Sequence, residues 1–436
     1  MPRVSRLDPN LVLLSSAVAI VALEAAHRRA DSIVWLVLQG IVAGVALLVA
    51  WHGQDRLRLA FVLGIVVALQ LALLAVHLGL DVQGDKDSSV VFRWQGNMLL
   101  AGDYPRSEYP VGAVALFALE AWLGGGATRT TNALLMAPLQ GLAVACVWLT
   151  RLPYAPWLAA LVGLWPLNAF YWQYKFDLAP AAILALGAVL ALRGRWGLSG
   201  AVLGVGALVK WTPGFAALAL VAWLLARGRG RLAAVHAGAF LSVVSVAYAT
   251  FLLWDDDVLA AYERQSGRAI TPESLWYLPL RAAGLARVRT HISFSAGAPE
   301  WANVAATVLQ AAVVVALIAL AARATDARAA VAVAALVPAA FLLTNRIFSP
   351  QFIVVLFVAW AIAGAILVRD RREQLALGVA AATASVGNAF VYPFALPRYD
   401  HTWPLASAVL FAGSLAITAA LVVRAARARD GRPVPT

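Results

Sequence analysis

The sequence predicts an all-α polytopic membrane protein with about 12 to 15 transmembrane or half-membrane helices, and three features predict it. Of its 436 residues, 62% are hydrophobic and 13% charged, whereas a soluble domain is about 45–50% apolar and about 25% charged. Mean hydropathy is +0.79. Apolar stretches close to the length of a bilayer crossing recur along nearly the whole chain, and no alternating pattern reads as a strand. These features exclude a soluble enzyme, a disordered chain and a fibrous repeat. The whole of 1–436 is read as one integral membrane domain, with the bilayer as its main solvent.

The first apolar segment, 10–26, follows Arg3 and Arg6. No small-residue cleavage site follows it at the right distance, so it reads as a membrane helix, not a signal peptide. Segments 33–51 and 58–79 come next, and then a polar interruption over 80–109. Seven segments follow, at 110–124, 131–149, 156–173, 177–192, 197–209, 213–226 and 232–254. A second interruption covers 255–301. The C-terminal group, 302–436, holds segments 302–322, 329–345, 351–368, 374–393 and 403–423. Gly200 and Gly204 form a small-xxx-small step suited to close helix packing.

The formal charge is +12, from 34 Lys+Arg and 22 Asp+Glu. The arginines cluster between apolar spans, at Arg227, Arg229 and Arg231, at Arg369, Arg371 and Arg372, and from Arg424 to Arg432. That is the pattern of cytoplasmic loops, not of a nucleic-acid-binding face, and no nucleic-acid partner is expected. It places 80–109 and 255–301 together on the extracytoplasmic side. Seven segments between two loops on one side break the parity, so one segment does not cross. The short ones are 110–124 and the pair 197–209 and 213–226 that flanks Lys210; half-helices are tolerated where protein covers the backbone. The single cysteine, Cys146, rules out an intrachain disulfide. No glycine-rich phosphate loop follows a strand, so nothing points to a nucleotide-driven pump.

Chemistry concentrates in the two interruptions. The first carries Asp81, Asp85, Lys86 and Asp87, then Val91, Trp94 and Met98 at helical spacing, which predicts a short interfacial helix. A loop carboxylate there can take a proton from a hydroxyl nucleophile. Asp85 and Asp87 also have the spacing of a weak hard-cation site. The second interruption opens with Asp255, Asp256 and Asp257, which suit a helix N-terminus, and continues through Tyr262, Arg264, Arg268, Glu273 and Ser274. Arginines beside aromatic residues at a membrane surface suit a phosphate group. Lys210 and Arg346 interrupt or border apolar segments, and a lysine near membrane depth is costly enough to mark function. Lys86, Lys175 and Lys210 are the only lysines, and all three fall on the outer side. Asp177 starts a helix just after Lys175.

Gly102-x-Tyr104-Pro105-Arg106-x-Glu108-Tyr109-Pro110-x-Gly112 resembles the end of the first outside loop in actinobacterial members of the glycosyltransferase 87 group. Val111 stands where those relatives have a second proline. Tyr262 to Ser274 is similar to the family's second-loop segment, with Glu263 in place of a histidine. Lys210-x-x-Pro213 and Ser349-Pro350-Gln351-Phe352 also resemble family positions, so the resemblance spans about residues 80–355.

The resemblance implies a membrane-embedded glycosyltransferase of the C fold in a bacterial cell membrane, with its active site on the extracytoplasmic face. It implies an inverting transfer of a sugar, most often mannose, from a polyprenyl-phosphate donor to a lipid or glycan acceptor. The catalytic base it implies is a first-loop aspartate. Its register lands on Ser88, beside Asp87, which ranks Asp87 first, Asp85 and Asp81 next, and Glu108 after them. Lys210, Arg264, Arg268 and Arg346 are assigned to the donor phosphate. Tyr104, Arg106, Tyr109, Tyr262, Glu273 and Gln351 are assigned to substrate binding. A monophosphate leaving group needs no metal, and no cofactor is expected. The competing readings are a transporter or lipid flippase, which would not turn over a sugar donor, and a non-catalytic scaffold, which would tolerate loss of every loop acid.

Overall fold

The computed structural model describes residues 7–30, 33–80, 87–125, 128–286, 295–395 and 403–428. Every apolar segment read above is helical. Three helices open the chain: α1 (Pro9–Ala30), α2 (Ile33–His52) and α3 (Leu59–Gly79). The first interruption contains a wide π-type turn over Asp87–Phe92 that runs into the short helix α4 (Arg93–Ala101), followed by α5 (Val111–Gly124). Next come α6 (Thr128–Trp148), α7 (Ala155–Leu164), α8 (Ala169–Tyr174), α9 (Leu178–Leu192), α10 (Trp196–Val209), α11 (Thr212–Ala226) and α12 (Gly230–Leu252). The second interruption carries α13 (Ala260–Ser266) and α14 (Tyr277–Ala282). The chain closes with α15 (Glu300–Ala322), α16 (Ala327–Thr344), α17 (Ile353–Leu367), α18 (Arg371–Ala389) and α19 (Trp403–Ala428).

Among the described residues there is no strand, and ten helices are long and apolar enough to cross a membrane. The protein is therefore an all-α, multi-pass membrane protein. Helices α16 and α17 form its centre, with 83% and 89% of their spans buried; a helix that is apolar on every side needs neighbours on every side. The spans of α12 and α15 are only 11% and 22% buried and form the lipid-facing periphery. Helix α10 packs closely on α12. A Cβ on Gly200 would sit 2.1 Å from the His236 carbonyl oxygen, and one on Gly204 3.0 Å from that of Phe240. The small-xxx-small step thus serves packing.

The loops sort onto two faces. On one, Tyr154 donates to the Arg369 carbonyl at 3.0 Å, Trp51 to that of Arg371 at 3.1 Å, and Arg227 Nε to that of Ala324 at 3.1 Å. Arg371 pairs with Asp55 at 2.7 Å, and Arg424 pairs with Glu373. This is the arginine-rich face. On the other face lie the Asp87–Phe92 turn, the breaks around Lys175 and Lys210, and helices α13 and α14 of the second interruption.

The parity problem resolves at α5. Its Val111 end is seated on α10 beside the Lys210 break, where a Cβ on Gly112 would come within 2.7 Å of the Leu208 carbonyl carbon. Its Gly124 end meets Thr131 in the first turn of α6, and Thr128 of that turn donates to the Ser88 carbonyl at 2.9 Å. Both ends therefore sit at the face of the first interruption, and α5 does not cross. The pair α10 and α11 does cross, out and back around Lys210. Segment 156–173 divides at Trp165–Pro166 into α7 and α8, and the Pro166–Tyr174 piece meets α9 at 107°.

Cysteine placed at Asp103 or Thr130, near the two ends of α5, should label with an impermeant thiol reagent from the same side as cysteine at Ser266, in a Cys146→Ala background. Cysteine at Arg229 should label only from the opposite side. Labelling of Thr130→Cys together with Arg229→Cys would show that α5 crosses after all.

Candidate active site

The α8–α9 break places four consecutive side chains against four different partners. The Tyr174 hydroxyl meets His77 Nδ1 at 3.2 Å and Arg129 at 2.5 Å. Lys175 pairs with Asp87. Phe176 packs edge-on to Tyr109 and Phe117 at 5.3 and 5.2 Å, and Phe117 stacks on Phe92 at 4.2 Å. Asp177 is fully buried and pairs with Lys210. Asp177 does not cap α9 with its side chain; its charge serves the pair. The Lys210 ammonium also lies 4.1 Å over the Phe352 ring, an attractive geometry for a cation.

The first interruption is anchored onto this linker. Gly102 closes α4 in the left-handed region at φ 97°, which a side chain would disfavour. A Cβ on Gly96 would lie 2.2 Å from the Phe117 carbonyl oxygen, so only glycine lets α4 lie on α5. Ser107 Oγ donates to Gln95 at 2.8 Å and accepts from the Tyr109 amide at 2.9 Å. This sets Glu108 and Tyr109 towards the linker.

The second interruption closes from the other side. Arg268 pairs with Glu108 at 3.2 Å, and Gln265 donates to the Glu108 carbonyl at 3.1 Å. Arg346 donates to the Ser266 carbonyl at 2.6 Å and to the Thr307 hydroxyl at 3.3 Å, tying α13 to α15. The Thr271 amide in turn donates to the Arg346 carbonyl at 2.9 Å. Tyr262 stacks on Trp211 at 4.9 Å and donates to the Tyr248 hydroxyl at 2.9 Å.

Between the two interruptions lies a chamber of about 600 Å³, within the range of small-molecule sites. Its described wall carries four cations, Lys175, Lys210, Arg268 and Arg346, and three carboxyls, Asp87, Glu108 and Glu273. Tyr109, Trp211, Tyr262, Phe341, Phe348 and Phe352 supply aromatic surface, while Gln265, Thr271, Thr307, Gln310, Asn345 and Gln351 supply polar groups. Burial pushes the Tyr109 hydroxyl well above its usual range, and the carboxylates of Glu108, Asp87 and Asp177 push the same way, so it remains a donor. Burial pushes the Lys210 ammonium down, and Asp177 opposes it. Burial lifts the Glu273 carboxyl to about 7, against hydrogen bonds and Arg268, which lower it.

Of the residues singled out in the sequence, Asp87, Glu108, Tyr109, Lys210, Tyr262, Arg268, Glu273, Arg346 and Gln351 all line the chamber. Three others are placed elsewhere. Tyr104 is buried beneath the first interruption against Phe251 at 5.9 Å, because its ring completes an apolar layer with Val111, Leu208 and Val258. Arg106 sits on the exposed rim and pairs with Asp257 at 3.0 Å. Arg264 is exposed and does not line the chamber, since it lies on the solvent side of α13. Asp81 and Asp85 lie outside the described residues. Asp255 accepts from the Asp257 amide at 2.8 Å and is a helix cap, as its position suggested. Lys175 and Asp177, which the sequence places on the outer side without a role, belong to this arrangement: Lys175 lines the chamber and Asp177 pairs with Lys210 behind its wall.

Replacing Lys210 by Met should leave the Asp177 carboxylate buried without its partner and cost about 3–5 kcal/mol of stability. Adding Asp177→Asn should restore most of the folded yield, measured by thermal unfolding in detergent. Glu273→Gln tests the raised carboxyl. Between about 4.5, its ordinary value, and about 7, the unfolded chain has released this proton while the folded chain keeps it, so stability falls as pH rises through that window. The glutamine variant should match the wild type at pH 4.5 and exceed it by about 2 kcal/mol at pH 8. Equal stability at both pH values would mean that the carboxyl is not desolvated.

Comparison with known proteins assigns no family: no family model matches the chain and no curated protein matches it, so the chemistry of the chamber carries the functional reading.

Proposed function

We propose that the chain is an inverting glycosyltransferase that moves a sugar, with mannose the first choice, from a polyprenyl-phosphate donor to a lipid or glycan acceptor, at the extracytoplasmic face of a bacterial cell membrane. One observation supports this above the others. A half-exposed carboxylate, Asp87, faces a chamber whose wall also carries Lys210, Arg268 and Arg346, at the surface of a membrane protein. A transfer from a lipid-linked phosphate needs this pairing of groups. The carboxylate receives a proton, and the cations meet the charge that develops on the departing phosphate.

Asp87 takes the proton of an acceptor hydroxyl, and the hydroxyl oxygen attacks the anomeric carbon. The bond from that carbon to the phosphate oxygen breaks, and the electron pair leaves with the polyprenyl phosphate. The anomeric configuration inverts in one displacement. Lys175 compensates the charge of Asp87 before the proton arrives. Lys210 and Arg268 stand at the phosphate, with their existing carboxylate partners limiting the surplus charge when the chamber is empty. Arg346 is engaged with backbone carbonyls and shapes the wall as much as it charges it. The aromatic surfaces of Trp211 and Tyr262 offer apolar area beside polar groups, as a sugar ring requires.

Membranes containing the protein, supplied with polyprenyl-phosphate mannose and a lipid extract, should transfer the sugar. Asp87→Asn should lower turnover about 10²–10⁴-fold at saturating donor and acceptor, with donor affinity nearly unchanged. Asp85→Asn and Asp81→Asn serve as comparisons. A fully active Asp87→Asn variant alongside an inactive Asp85→Asn variant would move the base by two residues. Activity in all three would pass the role to Glu108.

A further inference from the structure

A second buried polar cluster lies apart from the chamber, where α1, α2 and α3 meet α6 and α8. Its centre is Glu24, which is 6% exposed on a helix long and apolar enough to cross the membrane. Its Oε1 accepts from Arg28 Nε and from His77 Nε2, both at 2.7 Å, and its Oε2 accepts from Gln39 at 2.7 Å. Each of the first three helices contributes: α1 gives Glu24 and Arg28, α2 gives Gln39, and α3 gives His77. A carboxylate so placed is expensive to bury, and hydrocarbon of the same volume would pack without that cost. Ionisable groups at such depth mark function by default.

Arg129 donates to the Tyr174 hydroxyl oxygen at 2.5 Å, and the same hydroxyl is hydrogen-bonded to His77 Nδ1 at 3.2 Å, so the chain of contacts runs from Glu24 through His77 to Tyr174. The His77 and Tyr174 rings stack at 6.0 Å. Tyr174 is the residue before Lys175. On the far side of the same backbone, Asn132 donates to the carbonyls of Gln173 at 2.7 Å and Lys175 at 3.4 Å. The segment that presents the Lys175 ammonium to Asp87 is therefore gripped from two directions, and one grip originates in the N-terminal helices.

We propose that α1–α3 are a support that holds Lys175 against Asp87, with Glu24, His77 and Tyr174 as positioning residues and not catalytic ones. The effect on transfer rests on Asp87 being the base, but the positioning itself can be read without any transfer.

The test is made on the full chain in detergent, with Cys146→Ala and Asp87→Cys. A thiol beside a lysine ionises below the ordinary value of about 8.5, so its alkylation by iodoacetamide as a function of pH reports where the Lys175 ammonium stands. Tyr174→Phe removes only the hydroxyl, and Glu24→Gln only the charge. Both should slow alkylation about three- to tenfold at pH 7.5 and move the midpoint upward, as expected when a cation retreats from a thiolate. In a Lys175→Met background the same changes should have no further effect. Unchanged alkylation in Tyr174→Phe and Glu24→Gln would overturn the proposal, as would an equal effect with Lys175 absent. Should Glu24→Gln fail to fold, Tyr174→Phe decides alone. In the enzyme, Tyr174→Phe should shift the pH profile of turnover while leaving donor KM within twofold. Absence of any transfer by the wild type would sink the glycosyltransferase reading and leave the alkylation result standing.

Discussion

A charge taken out of water inside a membrane needs a partner of opposite sign, and this requirement organises the molecule. Lys175 and Lys210 are buried or nearly so, and each is paired with an aspartate contributed by another part of the chain. Lys175 fastens the start of the first interruption, and Lys210 fastens the turn between α10 and α11. Both pairs meet at one four-residue linker, Tyr174–Asp177. Loss of either aspartate leaves a lysine where solvation is poor, and loss of Lys210 does the same to Asp177, a penalty far larger than that of a surface ion pair. The linker is thereby fixed in register, and everything attached to it inherits that register.

The aromatic residues complete what the ion pairs begin. Phe92, Tyr109, Phe117 and Phe176 pack around the linker with a stacked pair at 4.2 Å and edge contacts beyond 5 Å. They shield the Lys175–Asp87 and Lys210–Asp177 pairs on the protein side. The opposite side of each pair opens to the chamber, where a substrate would exclude the remaining water. Electrostatic interactions strengthen when water leaves. A chamber with paired cations at rest can thus meet an added anion without carrying a large unbalanced charge while empty.

Much of this was legible in the chain. Each apolar segment became a helix because a backbone in hydrocarbon has to satisfy its own hydrogen bonds. Arg268, Arg346, Lys210 and Glu108, which line the chamber, could be singled out because a charge beside an apolar span is costly to keep and seldom idle. The roles of Lys175 and Asp177 were not legible, because their pairs join residues 88 and 33 positions apart, and no local pattern encodes which distant helices meet. The same limit hid the Glu24 network, whose members come from five helices. Arg264 and Arg268 look alike in sequence, and only the rotation of α13 and the turn after it sends one to solvent and the other to the chamber. The arginine runs sorted the loops onto two faces as the structure does. They could not say which segment fails to cross, since that depends on where Gly112 finds its seat.

The seat of α5 has a consequence for the order of assembly. The helix is 14 residues long, about 21 Å at 1.5 Å per residue, and both of its ends are held at one face, by α10 and by the first turn of α6. Its docking surface lies partly on α10, which leaves the ribosome well after it. Until that surface exists, α5 has no complete groove to occupy, and the first interruption has only α3 behind it. The chamber is consequently one of the last parts of the molecule to close. A chain released early, or truncated before Lys210, would carry Asp87 but no organised site around it, so any activity is withheld until the bundle is built.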